Sequence, residues 1–307
     1  MHPGRQGLWL VLVCASCGAA DARDTSPSSG SGSVSPTADA ALDRLTARCD
    51  TSCEPEEGLA LAQHLLERAQ SRRREAFAAE DRALTERDPV AQRSAREATA
   101  EAQRDAERDT ERAIALLRGI AGDETVPPSH VVQTALAELL FALADTPAHD
   151  DVLAIAERIV RDAPTLPVAA DAWLAIGERA FERAELARAR DAYLATAAVV
   201  GADAQIVVYA KYKLAWTYFN LSDFQAACDA FREVARERTR PLLAREAQRD
   251  LLRALVPLGR APADDVAEIR GLAQGDAPAT QLAERYEQAL RDVGLDARAD
   301  AFRAAWR

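Results

Sequence analysis

Apolar residues recur at helical spacing along most of this chain. From Glu56 onward, alanines and leucines are interleaved with arginines and glutamates three and four positions apart, whereas strand-like alternation of β-branched residues is nearly absent. Glycine and proline cluster between these runs. We therefore predict an all-α protein with helices of about 10 to 30 residues. The predicted breaks fall at Asp88-Pro89, Gly122 to Pro128, Thr146-Pro147, Pro164 to Pro167, Gly201, Ser222, Pro241, Gly259 to Pro262, Gly275 to Pro278 and Gly294.

A recurring motif predicts that these helices form about five to six antiparallel pairs. In the second helix of each pair, a small residue is followed four positions later by a larger apolar one, so that the helices approach closely and the larger residue fills the gap to the next pair. The first four motifs are 43, 33 and 38 residues apart, and a fifth candidate lies 62 residues beyond them. They are Ala113/Leu117, Ala156/Val160, Ala189/Tyr193, Ala227/Phe231 and, as the fifth, Ala289/Val293. The stretch from Glu57 to Ile120 is predicted to be two longer charged helices broken at Pro89.

Two of these pairs resemble tetratricopeptide repeats. In one, Trp173-x₂-Ile176-Gly177 is followed by Ala189-x₃-Tyr193, with Ala180 where the family usually has Tyr. In the next, Leu214-Ala215-x₂-Tyr218 is followed by Ala227-x₃-Phe231, with Lys211 where a Trp is typical. The resemblance implies a right-handed superhelix of stacked helix pairs, in which the first helix of each pair lines the concave wall that binds ligands.

The segment from Pro164 to Glu237 also resembles the repeat block of myxobacterial-type tetratricopeptide lipoproteins, some of which belong to the adventurous gliding-motility apparatus. The resemblance is carried by the runs Ala172-Trp173-Leu174-Ala175-Ile176-Gly177-Glu178, Ala189-x₂-Ala192-Tyr193, Tyr209-Ala210-Lys211-Tyr212-Lys213-Leu214-Ala215-Trp216-x-Tyr218-x-Asn220 and Arg249-Asp250-Leu251. Those proteins are envelope scaffolds. The resemblance implies a similar role without catalysis, with other envelope proteins as partners.

The N-terminal residues predict export. Arg5 precedes the apolar run Leu8 to Val13, which leads into small residues and two cysteines, as in a secretory signal. Cleavage after Ala19-Ala20 would release a soluble protein. Ala15-Ser16-Cys17 resembles the bacterial lipobox, and we favour cleavage before Cys17 and its lipidation. Gly18 resembles the outer-membrane sorting signal, so we expect an outer-membrane lipoprotein that faces the periplasm.

The mature chain is predicted to have two parts. After the signal peptide (residues 1–17), residues 18–45 are rich in Ser, Gly and Pro, and residues 21–41 contain almost no large apolar side chain, which is typical of a flexible tether. Residues 46–307 form the predicted helical repeat domain, long enough for a large core.

The net charge and the cysteines indicate which partners and sites to expect. The net charge of -11 argues against nucleic acid, because binding to phosphates requires a positive surface. Cys49 and Cys53 form a C-x₃-C pair that we expect to be a disulfide in an oxidising compartment, while a metal site there would lack further ligands. Cys228, among apolar neighbours, is interpreted as a core residue.

The sequence contains no catalytic or cofactor motif that we can identify. No two of its four histidines are four residues apart, and glycine-rich phosphate loops, dinucleotide fingerprints and nucleophile elbows are missing. Its carboxylates alternate with arginines along the same predicted helices, which is typical of solvated faces. We therefore expect neither enzyme activity nor a small-molecule cofactor or metal.

An aromatic stripe is the candidate binding surface. Tyr209, Tyr212, Trp216 and Phe219 recur three and four positions apart, and they account for four of only 16 aromatic residues. Lys213 and Asn220 flank the stripe. Aromatic side chains often anchor protein interfaces, so these six residues are the predicted partner-binding set. The alternative is that the rings pack against the neighbouring helix pair.

These observations favour a non-catalytic scaffold, anchored in the outer membrane and part of an envelope-spanning assembly such as a gliding-motility machine. One alternative is a periplasmic protein that coordinates cell-wall synthesis or outer-membrane assembly. An enzyme is a remote alternative, since it would need titratable groups that converge in a deep polar pocket.

Overall fold

The computed structural model describes residues 44–49, 53–122, 129–144, 146, 149–273 and 276–307. Within these residues the regular secondary structure is helical and contains no strand, which confirms the predicted all-α class. The predicted signal peptide, the lipidation site Cys17 and almost all of the predicted tether lie outside the described residues.

The chain divides into two compact units, Met1–Ala163 and Pro164–Arg307, here called unit 1 and unit 2. Unit 1 begins its described part with a short helix, α1, at residues 44–49. Four longer helices follow: α2 (Pro55–Thr85), α3 (Pro89–Ala121), α4 (His130–Ala144) and α5 (His149–Asp162). They form two consecutive pairs, α2 with α3 and α4 with α5.

The break at Pro89 is confirmed. Asp88 is the N-cap of α3, and its carboxylate accepts a hydrogen bond of 3.1 Å from the backbone N–H of Val90. Pro89 occupies the first helical position, where its missing N–H costs nothing because that group has no partner inside the helix. The chain therefore reverses here between two helices of 31 and 33 residues.

Small residues and paired charges hold unit 1 together. On α2 the buried positions toward the hairpin end, Ala69, Ala76, Ala79 and Ala83, are all alanines, so α3 can approach closely. The buried carboxylate of Asp109 on α3 accepts two hydrogen bonds from Arg68, of 2.8 and 2.7 Å, and one of 2.9 Å from Arg72. The pairing compensates the cost of removing that charge from water.

A buried arginine joins the two helix pairs of unit 1. Arg158 on α5 donates a hydrogen bond of 3.0 Å to the carbonyl of Ala121, the last residue of α3, and lies 3.3 Å from a carboxylate oxygen of Asp162. The last carbonyls of a helix have no partner within it, so the guanidinium satisfies one of them. Burial raises the pKa of Asp162, but the hydrogen bonds and charges of Arg161 and Arg158 together outweigh it and lower that pKa below its usual value.

The described part of unit 2 contains eight helices: α6 (Ala169–Glu182), α7 (Leu186–Ala198), α8 (Ala204–Asn220), α9 (Phe224–Ala235), α10 (Pro241–Leu255), α11 (Pro262–Leu272), α12 (Asp276–Asp292) and α13 (Asp296–Trp306). A short 3₁₀ turn, Val256–Leu258, extends α10. Three consecutive pairs pack together, α6 with α7, α8 with α9 and α12 with α13, whereas α10 packs against α9 and α12, and α11 packs against α12 and α13. With the two pairs of unit 1, the described residues contain five packed pairs of consecutive helices.

Four turns of unit 2 each place one residue in the left-handed region: those between α6 and α7, between α8 and α9, between α10 and α11, and between α12 and α13. These residues are Ala184, Ser222, Gly259 and Gly294, with φ between 58° and 77°, and their separations are 38, 37 and 35 residues. In three of the turns the residue after this position donates its N–H to a carbonyl five residues earlier, as in Glu185 to Ala180 at 2.9 Å. The regular separation continues through the turn between α10 and α11, where the alanine motif had no instance.

Positions counted from these left-handed residues identify the buried residues of unit 2. The residue eight positions before each left-handed residue is buried: Ile176, Leu214, Leu251 and Tyr286. Five positions after it, Ala189, Ala227 and Ala299 are fully buried in α7, α9 and α13. The predicted motif Ala289/Val293 is therefore wrong, because Ala289 belongs to α12, the first helix of its pair, and Val293 is 60% exposed in the turn.

A hydrogen-bonded cluster fixes the last helix pairs. Asp265 on α11 is only 1% exposed. Its carboxylate accepts a hydrogen bond of 2.6 Å from the Tyr286 hydroxyl and one of 2.9 Å from Arg298 on α13. Arg298 also donates to the carbonyls of Leu255 and Val256, which end α10. One guanidinium therefore connects three helices, through groups that would otherwise be buried without partners.

Gly177 should tolerate no side chain. A Cβ at this position would lie 2.7 Å from the ring of Tyr193, which is fully buried. We expect Gly177→Ala to lower the free energy of unfolding by about 1–3 kcal/mol, although alanine favours helix more than glycine does. Urea denaturation measures the change.

Gly271→Ala on α11 is the matched control, because a Cβ there would meet nothing within 4 Å. Its free energy of unfolding should stay equal or rise slightly. A neutral result for Gly177→Ala would contradict the close approach of α6 and α7.

Candidate functional site

Helices α6, α8 and α10 of unit 2 lie side by side, since α8 contacts both α6 and α10. Residues three, four and seven positions apart share one side of each helix. We call their common surface the first-helix face. It is defined by Asp171, Glu178 and Phe181 on α6, Tyr212, Lys213, Trp216, Phe219 and Asn220 on α8, and Asp250 and Arg253 on α10.

Glu178 and Lys213 connect α6 to α8 on this face. The Lys213 ammonium lies 3.0 Å from the largely buried carboxylate of Glu178 and 4.6 Å from the ring centre of Phe181. The same carboxylate accepts a hydrogen bond of 2.6 Å from the hydroxyl of Tyr193 on α7. Burial, together with the Glu178 charge, raises the pKa of Tyr193, so that it remains a donor. Lys213 is therefore engaged within the fold.

Tyr212 and Asp250 connect α8 to α10 in a similar way. The Tyr212 hydroxyl donates a hydrogen bond of 2.7 Å to the buried carboxylate of Asp250, which also accepts one of 3.2 Å from Arg253. Burial raises the pKa of Asp250, and the hydrogen bond from Tyr212 and the charge of Arg253 oppose that rise. The half-buried Tyr212 ring packs edge-on against Phe231 of α9, with ring centres 5.9 Å apart.

A chain of edge-to-face aromatic contacts runs from the core to the surface. Trp216 lies 5.4 Å from the buried ring of Phe231 and 5.5 Å from Phe219, and Phe219 lies 5.4 Å from Phe224. Phe231 is fully buried, while Trp216, Phe219 and Phe224 are each half-buried. This arrangement leaves part of three large rings open to a ligand while their edges are held in place.

The structure places five of the six predicted binding residues in three different environments. Asn220 is exposed at the end of α8, and Tyr212, Trp216 and Phe219 are half-buried. Lys213 is half-buried as well, but its charge is paired with Glu178. The aromatic rings are thus partly packed and partly open, so neither sequence interpretation holds for the whole set.

Tyr209 does not belong to the open surface, and its inclusion there was wrong. It is only 6% exposed, and the guanidinium of Arg240 lies over its ring at 5.8 Å. Tyr209 is in the first half of α8, a helix that contacts both α6 and α7. The helical spacing of the stripe predicts a shared side but does not reveal how deeply each turn is buried.

Phe181 and Asp171 were missed as residues of this face. Phe181 lies three positions before the left-handed Ala184, as Phe219 lies three positions before Ser222, so aligning the two repeats could have identified it. Asp171 lies in the first turn of α6. Burial raises the pKa of its carboxyl to about 7, and the negative charge of Asp203 adds to that rise.

The cysteines of the described residues lie in a disulfide or in the core. Cys49 and Cys53 are joined in a disulfide, beside the ion pair between Arg48 and Glu57. Cys228 is buried in α9, as predicted, and burial raises the pKa of its thiol to about 12, which keeps it protonated. In the described part of the chain, no three His, Cys, Asp or Glu residues are grouped as a metal site.

Unit 1 contains a cavity of about 340 Å³ between α2, α3 and α4. Polar residues of its lining bond to each other, since Gln63 donates a hydrogen bond of 3.0 Å to Glu138 and Arg73 donates one of 3.0 Å to Thr110.

Among the described helices, none combines the length and apolar character needed to cross a bilayer.

No protein-family model matches this chain, and the curated proteins include none with significant sequence similarity to it.

Lysines 211 and 213 allow a direct comparison of a buried and an exposed ion pair. Lys213→Ala would leave the Glu178 carboxylate, only 11% exposed, without its cation, and we expect a loss of about 2–4 kcal/mol in unfolding free energy. Lys211→Ala removes a pair with Glu233 that is largely solvated, so the loss should be below about 0.5 kcal/mol. Equal effects in urea denaturation would contradict the assigned burial of Glu178.

The stability of the fold should depend on the ionisation of Asp171. Its folded-state pKa lies above the unfolded value, so the folded state is penalised progressively as pH rises from about 4 to above 7. Asp171→Asn removes this penalty. The stability of the variant relative to the parent should be greater at pH 8 than at pH 4 by about 2–4 kcal/mol.

Urea denaturation at the two pH values tests this expectation. Asp191→Asn, at an exposed position of α7, controls for the loss of one negative charge. An Asp171→Asn effect that does not change with pH would show that Asp171 ionises as it does in water.

Proposed function

We propose that this protein is a non-catalytic binding scaffold, in which unit 2 is a tetratricopeptide-like array that presents its first-helix face to a protein partner. We propose further that it is exported and anchored through Cys17 in the bacterial outer membrane, facing the periplasm, as part of an envelope assembly. The observation that carries the binding role is the row of half-buried rings, Tyr212, Trp216 and Phe219, on a face built from three adjacent helices.

The register of unit 2 supports the repeat assignment. Separations of 38, 37 and 35 residues between left-handed turns are close to the period of about 34 residues of tetratricopeptide repeats. Close contact of Gly177 with Tyr193 and burial of Ala189 and Ala227 agree with the residues that carry the resemblance. In such arrays the side formed by first helices is extended and suits long, continuous partners.

The aromatic rings support protein binding rather than a structural role alone. A ring that only completes a core is expected to be fully buried, as Phe231 and Tyr193 are. Trp216, Phe219 and Phe224 retain accessible surface although their edges are packed. Leu221, which is 39% exposed, lies in the turn between α8 and α9. Aromatic residues held in this way bind partners at a small cost in side-chain entropy.

The anchoring proposal rests on the sequence of the first twenty residues. Arg5, the apolar run from Leu8 and the Ala15-Ser16-Cys17 motif together resemble a lipoprotein signal. The Ser- and Gly-rich stretch that follows would give the folded units reach from the membrane.

Affinity capture from detergent-solubilised envelopes, with the full-length lipoprotein as bait, tests the binding role. Phe219→Ala should reduce the recovery of the specific partner by about five- to thirtyfold, because one ring contact contributes on the order of 1–2 kcal/mol. Leu194→Ala is the control, since Leu194 is a 44% exposed apolar residue on α7, outside the first-helix face. Circular dichroism melting checks that both variants are folded.

Equal recovery with Phe219→Ala and Leu194→Ala would contradict the assignment of the face. The anchor is tested separately in the same cells, where Cys17→Ala should move the protein from the membrane fraction to the soluble fraction. Retention of that variant in the membrane would contradict lipidation at Cys17.

A further inference from the structure

On the first-helix face the positively charged side chains are engaged within the fold, whereas two carboxylates have no cation beside them. This difference indicates the chemistry of the partner. Its cations are all engaged: Lys213 with Glu178, Arg253 with Asp250, and Arg240, at the edge of the face, with the carbonyl of Gln205 and the ring of Tyr209. None of these groups is available to an acidic ligand without breaking a contact within the fold.

Two carboxylates at one end of the face lack a cation. In the described part of the chain no ion pair involves Asp171 or Asp203. Asp171 lies in the first turn of α6 and Asp203 is the N-cap of α8, so both carboxylates are at the N-terminal ends of adjacent helices. Burial raises the pKa of Asp171, and the negative charge of Asp203 adds to that rise. Asp203 accepts a hydrogen bond of 2.6 Å from the N–H of Gln205 as the N-cap of α8, which leaves its charge uncompensated by a cation. A positive group placed between these carboxylates would relieve their repulsion.

The other end of the face is apolar. Phe181 lies ten residues beyond Asp171 on α6, a distance of about 15 Å along the helix axis. Phe219, Trp216 and Phe224 lie near the same end, on α8 and at the start of α9. The face therefore combines an acidic end and an aromatic end, separated by the length of about four to five residues of extended peptide.

We propose that the first-helix face binds a peptide segment that carries a lysine or arginine and, about four to five residues away, a large apolar side chain. The cation would lie between Asp171 and Asp203, and the apolar side chain would pack on Phe181 and Phe219. The inference rests on the proposed binding role of this face and adds the chemistry of the partner. The net charge of -11 also favours the approach of a basic segment and disfavours an acidic one.

Selection from a phage-displayed library of random peptides, about twelve residues long, on the full-length protein tests this inference. The selected sequences should be enriched in Lys or Arg spaced from Phe, Leu, Trp or Tyr. A synthetic peptide of the leading sequence should then bind at least about tenfold more weakly to Asp171→Asn/Asp203→Asn than to the parent. Asparagine remains a good N-cap, so the second substitution preserves the start of α8.

The control is Asp191→Asn/Asp292→Asn, which removes the same charge from exposed positions on α7 and α12 and should leave the peptide affinity within about twofold. Phe219→Ala should weaken the same peptide at least about tenfold, and added salt should weaken it further.

The outcomes separate this inference from the binding role itself. The selected peptides could be acidic or uncharged, with an affinity that depends on Phe219 but not on Asp171 and Asp203. That result would overturn the proposed chemistry of the partner and leave the binding face in place. Selection of no peptide, or binding insensitive to Phe219→Ala, would overturn both.

Discussion

Close approach of helices over small side chains is the constraint on which this protein depends. In unit 1 the alanines of α2 bring α3 within reach, and in unit 2 Gly177, Ala189, Ala227 and Ala299 occupy positions where a larger side chain would separate the helices of a pair. Interiors tolerate little excess volume, so these positions determine how the helices pack. The left-handed turns then repeat this geometry at nearly constant intervals through unit 2.

Close packing of alanine-rich helices leaves little apolar area to each contact, and buried polar clusters complete the cohesion of each unit. Glu178 joins α6, α7 and α8, Asp250 joins α8 and α10, and Asp265 joins α11, α12 and α13. Each buried carboxylate is matched by a tyrosine hydroxyl and a cation, which offsets its desolvation. These clusters also decide which charges of the first-helix face are occupied and which remain open to a partner.

Packing and binding share the same side chains on α8. Tyr212 and Trp216 contact Phe231 in the core and still present part of their rings outward, so that the fold itself holds the proposed binding surface rigid. A surface organised before binding loses little entropy when a partner docks. The acidic pair Asp171 and Asp203 lies on the same face, where its unrelieved repulsion is a small cost of folding that a cationic ligand would remove.

The sequence by itself determined the all-α class, the break at Asp88-Pro89 and the burial of Ala189, Tyr193, Ala227 and Phe231, because helical periodicity and capping are local properties. It predicted the break at Gly259 to Pro262 but did not show that this turn continues the spacing of the other turns, because α11 lacks the buried alanine found in α7, α9 and α13. Nor did it separate the buried Tyr209 from the half-buried Phe219. Residues at equivalent spacing on one helix differ in exposure because neighbouring helices cover one end of α8 and leave the other open, and that is decided only when the pairs stack.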